Sequence, residues 1–547
     1  MTRIPAPASG VEIRMYRAGH GDCFLLNFRR SKDNDEPFFM LIDCGMKKGS
    51  HAIDGMDIYD VIRDLHDHTG GVLDLVVVTH EHEDHVSGFP SPTSENHPFS
   101  DFTVKELWLA WTEDETDKDA NKLRKKYRDQ VLTLALAQHK LSAMSGADSA
   151  LAEDLAEFLE LETGFTSGLE ILQDELADLQ AGGAVDAIPM GMDEATAAFT
   201  AIFGAKDAKI KGERYKRRLQ GLRHMAKKIK FLSPGDNIWT LPGVDGVQVY
   251  PFGPPREKKL LTSLNPHKAE EFHIGPFAMG EPGSGLFAAM AGDGDNTRSS
   301  SPFSPRHAIP ESEVFDFDRR RSNGDIGFFA KAYRDEDKED RRIDGDWLQD
   351  AESLALRINN EVNNTSLVLA FELPESRQIL LFTGDAQRGS WISWKDLSWT
   401  VKGADKKDKT VTVRDLLARC TFYKAGHHGS HNATLNGTED DDHPNINWMA
   451  QGDYADHFVT MIPTNKVWAF GKSRPWRHPM KAIEDALFEK AKSRVMMIKT
   501  DKGQKTKPKK QWLDKHNTAA FKKMRKEFEG RTEYAKTYVS HWVPDKL

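Results

Sequence analysis

The chain has 547 residues, of which 39% are hydrophobic and 29% charged, with a net charge of −9. That length exceeds one ordinary core and predicts two to four domains, or one domain with large insertions. The negative balance argues against a uniformly nucleic-acid-coating surface but permits a local basic patch. No run approaches the roughly 18 apolar residues of a membrane span. The N-terminus, MTRIPAPASGVEIRMY, carries no apolar signal segment, so the expectation is a soluble, cytoplasmic protein with no membrane partner. Three cysteines, Cys23, Cys44 and Cys420, form neither a disulfide framework nor a C-x-x-C zinc pair.

The first hundred residues read as strands and tight turns. VEIRMYRAG alternates apolar and polar residues, and FLLNF and FFMLIDCG follow as short apolar runs. IYDVIRDL (58–65) has helical spacing. It leads into LDLVVVTH, a continuous apolar strand of the kind buried on both faces of an α/β layer. Residues 1–112 are thus the first half of an α/β domain. Between 113 and 232 the pattern becomes helical, through KLRKKYRDQVLTLALAQHKL, LAEDLAEFLELE and LEILQDELADLQ to the basic RYKRRLQGLRHMAKKIK. This helical insertion is a candidate lid or protein-docking surface, or a solvated bundle without a role in the chemistry. Strands resume at GVQVYPFGPP and return in SLVLAFEL, QILLFTGDA and RCTFYKAGHHGS. They form a second half over 233–489, interrupted by a polar, Gly- and Pro-rich loop at about 256–344. Residues 490–547 read as a basic C-terminal extension. Its Trp512, Phe521 and Phe528 either stack on bases or pack the segment onto the core.

Residues 79–85 read THEHEDH. Four ligand-type side chains, His80, His82, Asp84 and His85, follow one buried strand. Imidazole and carboxylate together suit zinc, manganese or iron, and two clustered pairs suggest two ions. No G-x-S-x-G elbow or P-loop points to other chemistry.

H-x-H-x-D-H after a buried strand resembles the metal-binding signature of the metallo-β-lactamase fold. IDCG (42–45), LLFTGDA with Asp385, and RPWRHP with His478 follow in that family's order. GHGDCFLLNF, NNTSLVLAFEL, YKAGHHGSHNAT and the late HP sharpen the likeness. They resemble the hydrolase domain of competence-type (ComEC-like) DNA-uptake channels and the phosphorylcholine esterases. Two positions depart from that branch: His82 stands where many members have Asp, and VSG where a Gly-Gly pair is common.

The resemblance implies an αββα sandwich carrying two divalent metal ions, zinc or manganese. It assigns His80, His82 and either His427 or His428 to one ion, and Asp84, His85 and His478 to the other. Asp385 bridges them, and Asp43 supports the site from behind. Asp84, Asp385, His427 and His428 take the catalytic roles, and Lys424, Ser430 and His431 are candidates to hold a substrate phosphate. The activity implied is a phosphodiesterase or nuclease on DNA or RNA, using metal-activated water. The alternatives are a small-molecule phosphoester hydrolase and a partner-regulated component of a bacterial defence system, with the insertion as docking surface.

Overall fold

The computed structural model describes the chain except residues 1–2, 93, 95, 143–147, 182, 186–191, 206–216, 264–265, 268–269, 271–345, 403–406, 472–477, 501–512 and 514–515. Most of the expected loop at 256–344 therefore lies outside the described residues, as does Trp512. The chain divides into two compact units. One comprises residues 1–124, 212–275 and 359–547, the other 125–211 and 276–358.

The larger unit is mixed α/β. Its first sheet runs, edge to edge, Thr532–Tyr534, Tyr538–Val543, Val11–Tyr16, Cys23–Arg29, Pro37–Cys44, Leu75–Val77, Leu107–Ala110 and Ile229–Leu232. Its second runs Val495–Lys499, Val459–Asn465, Cys420–Lys424, Ile379–Phe382, Val368–Glu372, Gln248–Gly253 and Trp239–Thr240. Strand side chains alternate between faces, and one face of each sheet meets the other. Ile13, Leu26, Met40 and Val77 from the first share a core with Leu369, Phe371, Phe382, Phe422 and Met461 from the second.

Helices cover the outer faces. Leu25, Leu41 and Val76 pack against Val61, Ile62 and Leu65 of the Ile58–Thr69 helix. Ala370, Leu381 and Tyr423 pack against Trp391, Leu416 and Leu487. The Ile58–Thr69 helix starts where Asp57 and Asp60 form a reciprocal capping box and stops at left-handed Gly70.

Each sheet is antiparallel on one side and parallel on the other. Pro37–Cys44, Leu75–Val77, Leu107–Ala110 and Ile229–Leu232 run parallel, as do Ile379–Phe382, Cys420–Lys424, Val459–Asn465 and Val495–Lys499. In open α/β sheets the carboxyl ends of parallel strands are where ligands bind. Asp43, His80, Asp385 and His428 all lie at or just beyond such ends.

Two sequence expectations change here. Residues 490–547 are not an appended tail. Val495–Lys499 ends the second sheet, and Tyr538–Val543 pairs antiparallel with Val11–Tyr16 in the first. Val539 and Val543 join the shared core, and so does Phe528, which packs beside His541 and is unavailable as a base platform. The insertion is also shorter than 113–232. Ile229–Leu232 is a strand of the first sheet, and Leu219 and Leu222 of the Arg217–Met225 helix join the core beneath Ile58–Thr69. Arg218 of that helix donates to the Phe89 carbonyl, and Arg223 pairs with Glu113 and Glu115, so these cations serve packing.

The smaller unit contains most of the Lys118–Ser142 helix, together with Asp148–Thr163, Gly168–Ala181 and Glu194–Gly204. Gly168 lets two of these helices touch, since a Cβ there would lie 1.8 Å from the Ala135 carbonyl oxygen. Among the described residues no helix is long and apolar enough to cross a membrane.

Candidate metal centre

The Leu75–Val77 strand delivers Thr79 and His80 to the edge of the first sheet. Asp43, at φ 55°, accepts from the Thr79 backbone N–H at 2.7 Å and from the Thr79 hydroxyl at 2.6 Å. His85 Nδ1 lies 2.8 Å from the same carboxylate. His82 then starts the one-turn helix Glu83–Val86, which folds Asp84 and His85 back toward the strand ends. Gly45 is required for this approach, because a Cβ there would stand 2.4 Å from Asp84 C and His85 N. The GHGD segment closes on the same turn. Asp22 N–H donates to the Asp84 carbonyl at 2.8 Å, and Gly45 N–H donates to the Asp22 carbonyl at 2.9 Å.

The second sheet contributes the opposite wall. Left-handed Gly384 (φ 51°) turns Asp385 inward beyond the Ile379–Phe382 strand, where its N–H donates to Ser366 Oγ at 3.0 Å. After Cys420–Lys424 the chain places His427, His428 and Gly429 consecutively at φ 44°, 53° and 82°. Holding a non-glycine residue there costs about 1–3 kcal/mol, a strain typical of side chains held for function. The turn puts His428 Nδ1 2.7 Å from the Pro463 carbonyl and Nε2 2.9 Å from Asp84 Oδ2.

Asp22, His85, Asp385 and His428 converge. One ligand atom from each lies within 4.8 Å of the others, and all four side chains are buried. This group could hold a metal ion. Charge makes the same point. Asp22, Asp43, Asp84 and Asp385 are between 0% and 7% exposed, and Lys424 is the one lysine or arginine whose ion pairs reach them among the described residues. With neutral imidazoles, the centre would bury three uncompensated negative charges, which costs several kcal/mol per ion.

The histidines register that excess. Burial lowers the His85 pKa, but Asp385, Asp22 and Asp43 outweigh it and hold the ring well above its ordinary value. His428 is raised in the same way, by Asp385 and Asp84 against burial. His80 is pushed well below, and His427 down to about 4, chiefly by burial. Burial raises Asp22, whereas for Asp385 it is outweighed by His85, His428 and Lys424, which hold that carboxyl well below the usual range. Asp22 Oδ1 and His427 Nδ1 are buried without a hydrogen-bond partner among the described residues, and His85 Nε2 lies 3.2 Å from Asp385 Oδ2. Buried carboxylates, imidazoles and orphaned lone pairs fit a divalent cation of the zinc or manganese type.

The remaining expected site residues surround this group. His80 Nε2 lies 3.1 Å from His82 Nδ1, and the His80 ring packs 4.1 Å from His85. His478 stacks on His20 at 5.7 Å, with ring contacts to His427 at 5.3 Å and His428 at 6.1 Å. Of the two adjacent histidines, the structure brings His428 into the ligand group and leaves His427 beside it.

Of the expected phosphate contacts, Lys424 takes a different role. Lys424 is 1% exposed and spends its ammonium on the Gly384 carbonyl at 2.7 Å, Asp22 at 2.5 Å and Asp385 at 3.3 Å, so it steadies ligands from inside. The Ser430 hydroxyl donates to Asn432 Oδ1, while His431 is exposed. Sequence reasoning missed Asp22 and His20. The signal was GHGDC itself, an acid ending a glycine-rich turn just before a buried strand. Comparison with known proteins finds no matching family model and no matching curated protein.

Proposed function

We propose that this protein is a divalent-metal-dependent phosphoester hydrolase on a metallo-β-lactamase-type αββα sandwich, with DNA or RNA as substrate and zinc or manganese as cofactor. The observation that carries this reading is the buried group of Asp22, His85, Asp385 and His428, with its surplus of negative charge. A second ion would fall to His80, His82 and Asp84, with Asp385 between the two. Bound divalent metal supplies Lewis acidity, bringing a nearby water toward neutral pKa and drawing charge from a phosphoryl oxygen.

The chain's own residues do the positioning. Asp43 orients His85 through Nδ1, as a carboxylate behind a metal-binding imidazole does. The Pro463 carbonyl fixes His428 Nδ1 and leaves Nε2 for the centre. Lys424 holds Asp22 and Asp385 in one arrangement. The test is cleavage of labelled single- and double-stranded DNA and RNA with added zinc or manganese, beside Asp385→Asn. Metal-dependent cleavage lost in the variant supports the reading. Two tightly bound ions with no hydrolysis of any phosphoester would refute it.

A small phosphoester is the second reading, favoured by the burial of Phe528, which removes one aromatic platform for bases. Residues 143–205 also carry thirteen acidic and no basic side chains, an excess that disfavours a polyanion. Nucleic-acid cleavage should weaken steeply with salt, whereas turnover of a small ester should not.

A further inference from the structure

The NNTS run (363–366), just before the Val368–Glu372 strand, holds none of the expected ligands, yet it touches both walls of the centre. The N–H of Leu367, the next residue, donates to the Thr79 carbonyl at 2.8 Å, beside His80 in the first wall. Ser366 Oγ accepts from the Asp385 backbone N–H at 3.0 Å in the second wall and lies 3.3 Å from His80 Nδ1. A hydroxyl both donates and accepts, so it can meet either state of that ring while keeping the Asp385 N–H. Ser366 is fully buried.

Asn364 fixes the other side of the same turn. Its Oδ1 accepts from the Gln387 N–H at 3.0 Å, and its Nδ2 donates to the Leu261 and Ser263 carbonyls at 3.0 and 3.1 Å. All three partners are backbone groups whose donor and acceptor roles are given, so the amide has one orientation. Asn364 is fully buried as well. Asp385 therefore sits in a turn held at two backbone N–H groups, its own and that of Gln387, by one short segment. Gly384 completes the joint. At its φ of 51° a Cβ would lie 2.8 Å from Thr79 Cβ and 3.0 Å from Ser366 Cβ, so the turn presses directly on the strand end that leads to His80.

We propose that Ser366 is a positioning residue, braced by Asn364. It fixes the Asp385 turn against His80 and so sets the spacing at which the two sheets present ligands to a divalent cation. The inference rests on the metal reading above and adds what holds the ligands in place before metal arrives. Ligands already ordered spare the entropy of ordering them on binding. Removing a group that supports metal ligands from behind typically costs about 10–100-fold in metal affinity.

The deciding experiment is the zinc affinity of the full chain, by competition with a chromogenic chelator, for wild type, Ser366→Ala and Thr69→Ala. Thr69 is buried and its hydroxyl donates to the Leu65 carbonyl at 2.8 Å, so its variant controls for the loss of a buried hydroxyl elsewhere in the same unit. Affinity should fall roughly tenfold or more in Ser366→Ala and stay unchanged in Thr69→Ala. With cobalt(II) in place of zinc, the visible d–d bands, which report ligand geometry, should shift in Ser366→Ala alone. Unchanged affinity or unchanged bands in a folded Ser366→Ala overturns the proposal, and so does an equal loss in Thr69→Ala. A wild-type chain that binds no zinc overturns the metal reading and this proposal with it, whereas a zinc-binding wild type with an indifferent Ser366→Ala overturns the proposal alone. Hydrogen exchange decides the matter if Ser366→Ala does not fold. In wild type held in chelator, the amides of Thr383–Gln387 should already exchange about a hundredfold or more slower than in an unfolded peptide. Exchange at the unfolded rate until zinc is added overturns the proposal.

Discussion

Both compact units bury charge, and they treat it in opposite ways. In the helical unit Arg128 is buried against Glu175, with Nε 2.8 Å and Nη2 2.7 Å from the carboxylate, and the Tyr127 hydroxyl donates to Glu162 at 2.8 Å. Cation meets anion there, and the pair is complete. At the sheet ends of the larger unit, Asp22, Asp43, Asp84 and Asp385 crowd around one lysine and several histidines that burial alone would keep neutral. A compensated buried pair reports on structure, since removing either partner strands the other. An excess of buried acid over lysine and arginine reports on a centre that protons on His85 and His428, or a bound divalent cation, would offset.

The sharpest way to break this comparison is to cut each cluster and ask which cut metal can feel. Arg128→Ala should destabilise the helical unit by about 3–5 kcal/mol by stranding Glu175, with zinc affinity unchanged by calorimetry. A shift in zinc affinity would undo the distinction. Asp385→Asn should act in reverse, lowering zinc affinity about a hundredfold, close to 3 kcal/mol. The metal-free variant should melt lower than metal-free wild type, because His85, His428 and Lys424 hold the Asp385 carboxyl well below its usual range and its charge stabilises the fold. An unchanged melting temperature in chelator would mean that these pairings contribute nothing without metal.

Adding zinc to the metal-free chain at about a hundred times its Kd should stabilise the larger unit by about 2.7 kcal/mol. Hydrogen exchange should slow in the strands around Asp43, His85 and Asp385 and stay unchanged in the Gly168–Ala181 helix. Uniform protection would mean that zinc binds elsewhere as well.

His541 sharpens the contrast from the other sign of charge. Burial, followed by Arg531 and Arg494, pushes its pKa down to about 3, whereas His85 among carboxylates moves up. A histidine with a depressed folded pKa is held neutral by the fold. Its contribution is therefore complete above the unfolded value of about 6.5 and is lost as pH falls from there toward 3. At pH 5 the loss is about 2 kcal/mol. Urea unfolding at pH 7.5 and pH 5 should show this difference shrinking in His541→Gln, and an equal pH response in both proteins would assign it to other groups.

Much of the centre was legible in the chain. THEHEDH, LLFTGDA and HHGS each follow a short apolar run, and a buried strand that ends in ligand-type residues has only its end at which to expose them. Asp22 was harder to read because its role depends on pairing. Cys23 lies opposite Cys44 in an antiparallel ladder, and that register sets Asp22 against the Asp84–His85 turn. Lys424 read as a candidate phosphate contact for the same reason: alternation along Cys420–Lys424 does not say which face meets Asp22 and which meets solvent. The Lys- and Arg-rich stretch after residue 490 read as a tail because its charges outnumber the few apolar positions, Val539, Val543 and Phe528, that the core takes up.

By itself, then, the sequence determined the kind of chemistry on offer and the strand ends that carry it, since ligand type and hydrophobic period are local properties of the chain. Only the tertiary structure decided which four side chains meet, which of two adjacent histidines joins them, and that a lysine lies among them unseen by solvent. Those are matters of register and facing between segments up to about 400 residues apart, as Asp22 and His428 are. No local pattern encodes a distance of that kind, because it exists only once two sheets share a core.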